Sequence, residues 1–158
     1  AGQTAPGKGI CVRQRQLDAE RSARVNERLE WVGLTGAQDM KPASLSGGMK
    51  KRVGLARAII REPEILLYDE PTAGLDPIMA SAINGIILDL QKHLKVSSLV
   101  VTHDMSSVFR IADRIALLFE GRVHKVGTKE EFRATDDPKV QAFIYGESEG
   151  PLRRDGAR

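Results

Sequence analysis

Two short stretches constrain this 158-residue chain more than any others: Leu45-Ser46-Gly47-Gly48-Met49 and Ile65-Leu66-Leu67-Tyr68-Asp69-Glu70. The first sets a helix-capping serine and two glycines at the head of an amphipathic helix. Glycines let backbone N–H groups approach a ligand closely, and a helix head carries free amides and partial positive charge that attract phosphate. An ordinary helix cap explains the same residues. The second stretch is an apolar strand that runs into two adjacent carboxylates. Burying carboxylates is unfavourable unless they are paired or used, and neighbouring side chains on a strand point to opposite faces. Asp69 is thus placed to hold a cation such as Mg2+, while Glu70 faces a water that it would orient or deprotonate. A strand end meeting solvent is the plain alternative.

The remaining chain arranges itself around this pair. Residues 1–16 are expected to form an irregular leader, because Gly2, Pro6, Gly7 and Gly9 break structure. Residues 17–32 read as a helix with Val25, Leu29 and Val32 on one face and Gly33 as its stop. A connector over 34–44 leads to a second helix, from Ser46 to about Arg61, with Met49, Val53, Ala56 and Ile60 as its apolar stripe. The continuous apolar run at 65–69 suits a strand covered on both faces, as in a parallel sheet. A loop from Pro71 to Pro77 precedes a helix over Ile78 to Leu94. Ser98 to Thr102 reads as a second buried strand, ending in His103-Asp104. A short helix over Met105 to Ala112 follows. Strands at Arg114–Glu120 and Arg122–Gly127 are joined by a tight turn at Glu120-Gly121. Thr128 caps a small helix, another covers Pro138 to Tyr145, and the tail from Gly146 is polar.

This alternation predicts an α/β fold with a parallel sheet, flanking helices, right-handed crossovers and a C-terminal β-hairpin. Ligands of such sheets bind at the carboxyl ends of the strands, where Asp69, Glu70 and His103 fall. His103 could there touch a phosphate or its attacking water, although a lone histidine is more often a surface group. His93 and His124 read as such groups. Asp76, in Ala73-Gly74-Leu75-Asp76-Pro77, is first explained by an Asx-type turn.

Taken as an ordered set, these motifs resemble those of ABC ATPases. Leu45 to Met49 resembles the family's signature motif, Ile65 to Glu70 its Walker B strand and catalytic glutamate, Gly74-Leu75-Asp76 its D-loop, and His103 its switch histidine. The resemblance spans about residues 26–145. It implies ATP and Mg2+ as cofactors and a head-to-tail dimer with a second ABC ATPase subunit. Ser46, Gly47 and Gly48 would then serve the partner's ATP, Asp69 the metal, Glu70 and His103 the hydrolysis, and Asp76 the link between sites. It also implies an integral membrane permease as partner and a peripheral place on the cytoplasmic face of the inner membrane. Met49, where the signature usually has glutamine, and the run Asp137 to Gly146 followed by Gly150-Pro151 are similar to ATPases of MCE-type lipid transport systems. Phospholipid cargo and a lipid-binding MCE protein follow from that narrower likeness.

The chain departs from the family at its start. Gly2 to Lys8 spells G-x-x-x-x-G-K, but Gly9 follows where a P-loop needs a hydroxyl for Mg2+. The match reads as chance. The expected architecture is therefore a partial P-loop NTPase fold lacking its first strands and P-loop. It divides into a leader (1–16), part of the helical and signature subdomain (17–63), the C-terminal part of the ATPase core (64–135) and an extension (136–158). The chain alone is expected to be inactive. Two other functions fit the motifs: a non-catalytic module that keeps the signature face, and a soluble ABC ATPase of DNA repair or translation. The latter class usually shows long heptads or a strongly basic surface. A net charge of +3 makes no case for nucleic acid. The single cysteine, Cys11, excludes an internal disulfide and suits a reducing compartment. No apolar run approaches the ~18 residues of a membrane span, so a membrane role is expected to run through a partner.

Overall fold

The computed structural model describes residues 8–146, with side chains from residue 17. The start of the expected leader and the polar tail after Gly146 lie outside them. By its contacts the chain divides into two compact units, Ala1–Val101 and Thr102–Arg158.

The first unit contains α1 (Lys8–Trp31), a 3-10 turn at Pro42–Ser44, α2 (Gly47–Ile59), β1 (Ile65–Asp69), α3 (Pro77–Leu94) and β2 (Ser97–Val101). The helix expected from residue 17 starts at Lys8, so that part of the expected leader is helical. β1 and β2 pair in parallel, with Leu67 opposite Leu99 and Asp69 opposite Val101. The connection between them is α3, as a parallel pair requires. Asp76 caps α3 and Pro77 opens it, with φ suited to a first helical turn. Ile83, Ile87 and Leu90 bury its inner face.

Three expectations about burial are corrected. Of the expected face Leu29 and Val32 are buried, but Val25 is 41% exposed and Arg28 is unexpectedly buried. On α2 the buried stripe is Gly48, Leu55, Ala56 and Ile59, one step round from the expected one; Met49, Val53 and Ile60 are only half-buried. That helix has apolar residues on two adjacent faces, and only packing chooses between them. Neither strand is covered on both sides. Leu66 and Tyr68 are buried, while Leu67 is 74% exposed and Leu99 60% exposed. An unbroken apolar run cannot report which of its faces a given chain covers.

Gly33 ends α1 as expected. It has φ +68°, and the N–H of Leu34 donates to the carbonyl of Leu29 at 2.8 Å. This left-handed stop satisfies carbonyls that the helix end leaves free.

The second unit contains α4 (Met105–Ile111), β3 (Ile115–Phe119), β4 (Arg122–Gly127), α5 (Lys129–Arg133) and α6 (Pro138–Tyr145). β3 pairs only with β4, antiparallel, so the parallel arrangement among the described strands is confined to β1 and β2. The hairpin turn takes positive φ at both Glu120 and Gly121, the backbone twist that a two-residue hairpin loop favours. Ile115, Leu117, Phe132 and Val140 form the core of this unit. α6 thus docks Val140 on its own unit, while Phe143 and Tyr145 face outward.

Candidate functional site

Ser46 caps α2, its hydroxyl accepting from the N–H of Met49 at 3.2 Å. Gly47 and Gly48 form the first turn, where helix amides have no intrahelical acceptor. Ser46 and Gly47 are exposed; Gly48 is buried. A Cβ at Gly48 would collide with the Met79 Cε of α3, so only glycine fits without moving that side chain. The head of α2 therefore rests on the first turn of α3. Asp76 caps that same turn, its carboxylate accepting from the N–H groups of Ile78 and Met79, both at 3.0 Å. The turn-type explanation of Asp76 is the contact the structure makes.

Asp69 ends β1 on the open face of the sheet and Glu70 follows it with φ +45°. Side chains with a Cβ rarely adopt this left-handed backbone. Hydrogen bonds from β2, from the following loop and from α2 reach its backbone. Glu70 donates its N–H to the Val101 carbonyl at 2.9 Å, and its own carbonyl accepts from the N–H of Ala73 at 3.2 Å. The same carbonyl accepts from Lys51 Nζ, one turn into α2, at 3.2 Å. Beside them lies an open cavity of about 190 Å3 whose walls include Lys51, Leu67, Asp69 and Pro71. Tyr68, next to Asp69, turns into the core, and burial pushes its phenol pKa up.

Ser46, Gly47, Gly48, Asp69, Glu70 and Asp76 thus all belong to the first unit. His103 belongs to the second, two residues along the chain from Val101, and is exposed. Its neighbour Asp104 caps α4, accepting from the Ser106 N–H at 3.0 Å. The Ser107 hydroxyl bonded to it holds its carboxyl below the usual range. Among the described residues no three His, Cys, Asp or Glu gather as a metal cluster. Asp69 offers one hard carboxylate oxygen donor, which fits Mg2+, an ion that keeps several waters and shares the rest of its shell with phosphates. Lys51 escaped the sequence reading because its partner lies 19 residues away and leaves no local pattern.

A parallel strand pair joined by a helix, with a glycine-headed helix beside it, places the first unit in the α/β class. The family model described as "ABC transporter" matches residues 3–73, a span that takes in most of the expected leader. The chain is 41% identical over 157 residues to the Arabidopsis thaliana chloroplastic protein TRIGALACTOSYLDIACYLGLYCEROL 3, covering 89% of this chain and 46% of that one. It is 42% identical to the Haemophilus influenzae intermembrane phospholipid transport system ATP-binding protein MlaF, covering 80% of this chain and 48% of that one. A solved ATP-binding cassette of an ABC transporter, in its ADP conformation, superposes with a TM-score of 0.71 at 31% identity, over 81% of this chain and 51% of that one. The chain belongs to the ABC transporter ATP-binding family. It spans about half the length of the curated relatives it matches.

Proposed function

We propose that this chain supplies the signature helix and the hydrolytic acids of an ATP-binding subunit that drives lipid transport. The observation that carries the reading is the placement of a glycine-headed helix and a strand-end acid pair in one unit, with Lys51 joining them. The free amides of Gly47 and Gly48 bind triphosphate oxygens of an ATP held mainly by a second subunit, as helix heads bind phosphate. Asp69 would hold Mg2+, which would neutralise phosphate charge. Glu70 takes a proton from the attacking water or orients it, a role worth about 10²–10⁴ in rate. His103 contacts the terminal phosphate, and Asp76 lies at the junction between the two sites. Partners are a second ATP-binding subunit, a membrane permease and a lipid-binding MCE protein, at the cytoplasmic face of the inner membrane. Among the described residues no helix is long and apolar enough to cross a membrane. Phospholipid cargo is favoured because MlaF, 42% identical, is named for phospholipid transport.

The test is Mg2+-dependent ATP turnover. These 158 residues alone are expected to show none, since Gly9 stands where a P-loop hydroxyl belongs. Adding the N-terminal portion of the H. influenzae subunit, as a source of a triphosphate-binding loop, is expected to give turnover that Glu70→Gln abolishes. Turnover in the mixture that survives Glu70→Gln, or turnover by the chain alone that Glu70→Gln abolishes, overturns the reading.

A further inference from the structure

Four non-glycine residues among those described have positive φ: Glu62, Glu70, Lys95 and Glu120. Glu62 and Lys95 close helices and Glu120 lies in the hairpin turn, where such backbone is ordinary. Glu70 differs in leaving a parallel strand for a loop. A residue with a Cβ stays in this conformation only where its surroundings over-determine it. Two of the bonds to the Glu70 backbone are between backbone groups and could be made by any sequence. Another comes from a distant side chain, the ammonium of Lys51, half-buried on α2, bonded to the Glu70 carbonyl.

We propose that Lys51 is a positioning residue that holds the Glu70 backbone left-handed and ties it to the helix headed by Ser46, Gly47 and Gly48. This rests on the reading of Glu70 as the hydrolytic acid. Under that reading the helix head serves one ATP and Glu70 another, so Lys51 connects two ATP sites through a single side chain. Movement of α2 on ATP capture passes to the Glu70 carbonyl without crossing the core. Lys51 lines the cavity beside Asp69, and its ammonium makes the contact. Packing and positioning are therefore separable by substitution.

The first measurement uses the 158-residue chain and needs no turnover: the backbone couplings and carbon shifts of Glu70 by NMR. Lys51→Met keeps the stem and is expected to lose the positive-φ signature of Glu70, while the fold elsewhere is retained. Lys51→Arg, which keeps a cationic donor, is expected to preserve it. An unchanged Glu70 signature in Lys51→Met overturns the proposal. If Lys51→Met fails to fold, Lys51→Ala, which also lacks the donor, is read the same way: a lost Glu70 signature supports the hold and a kept one overturns it. In the two-polypeptide assay above, Lys51→Met is expected to lower kcat about ten-fold or more with little change in KM, and Lys51→Arg to restore it. Unchanged kcat where Glu70→Gln abolishes turnover sinks the positioning role alone. Turnover that survives Glu70→Gln sinks the function reading and leaves the NMR result to decide the contact.

Discussion

At the scale of single residues, the informative positions are those where backbone or charge is forced. Gly33 carries φ +68°, with Arg52 Nη1 3.4 Å from where a Cβ would stand. Gly33→Ala is expected to destabilise the first unit by about 1–2 kcal/mol in a denaturant melt, because the left-handed backbone penalises a Cβ. Arg28 is the other forced residue. Its side chain is 4% exposed and ion-paired with Glu62 and with Glu27, and its guanidinium carbon lies 4.0 Å from the Trp31 ring centroid. Removing Glu62 leaves a buried cation short of a partner. Glu62→Gln is expected to cost on the order of 1–3 kcal/mol, below the fully buried case because Glu62 itself is largely exposed. Asp18→Asn breaks an exposed pair with Arg21 at 3.7 Å and is expected to cost less than about 0.5 kcal/mol in the same melt. Equal losses from the two substitutions would refute the burial of Arg28.

Among the elements, the short helices of the second unit depend on their caps more than on their length. α5 has only five residues and begins with a complete capping box. The Thr128 hydroxyl accepts from the Glu131 N–H, and the Glu131 carboxylate accepts from the Thr128 N–H. A helix this short is not stable by propensity. Thr128→Ala is expected to cost about 1 kcal/mol, seen as faster amide exchange in α5 than in the β3–β4 hairpin. The Thr128 cap was legible in the sequence because it lies next to the helix it starts; the reciprocal bond from Glu131 came only with the structure. The apolar run of β1 was legible as a strand for the same reason, since a few adjacent residues carry the pattern. The face that α2 buries was not legible, because two adjacent apolar stripes satisfy the same period and only the packed neighbours select one.

For the molecule as a whole, acid is expected to act through the second unit's capping carboxylates. Asp104 is held below the usual value of 3.8 mainly by the Ser107 hydroxyl. Asp137 is held below it mainly by the His124 imidazole, then by the N–H groups of Lys139 and Val140 at the head of α6. A lowered folded-state pKa means the unfolded chain takes up the proton first as pH falls. These groups therefore add stability in full above about pH 4, and lose it as pH falls through their depressed values. Thermal melts of the chain between pH 5 and pH 2 are expected to show α4 and α6 loosening. Asp137→Asn should flatten part of that dependence, and an unchanged profile would refute the Asp137 contribution. The sequence by itself determined the element order, the caps, the parallel pair, the hairpin and the family motifs, because each is written in residues close together along the chain. Only the tertiary structure decided that Arg28 is buried, that one face of the β1–β2 sheet is left open, and that Lys51 reaches the Glu70 carbonyl. Those depend on groups brought together from distant positions, and no local pattern records which of them will meet.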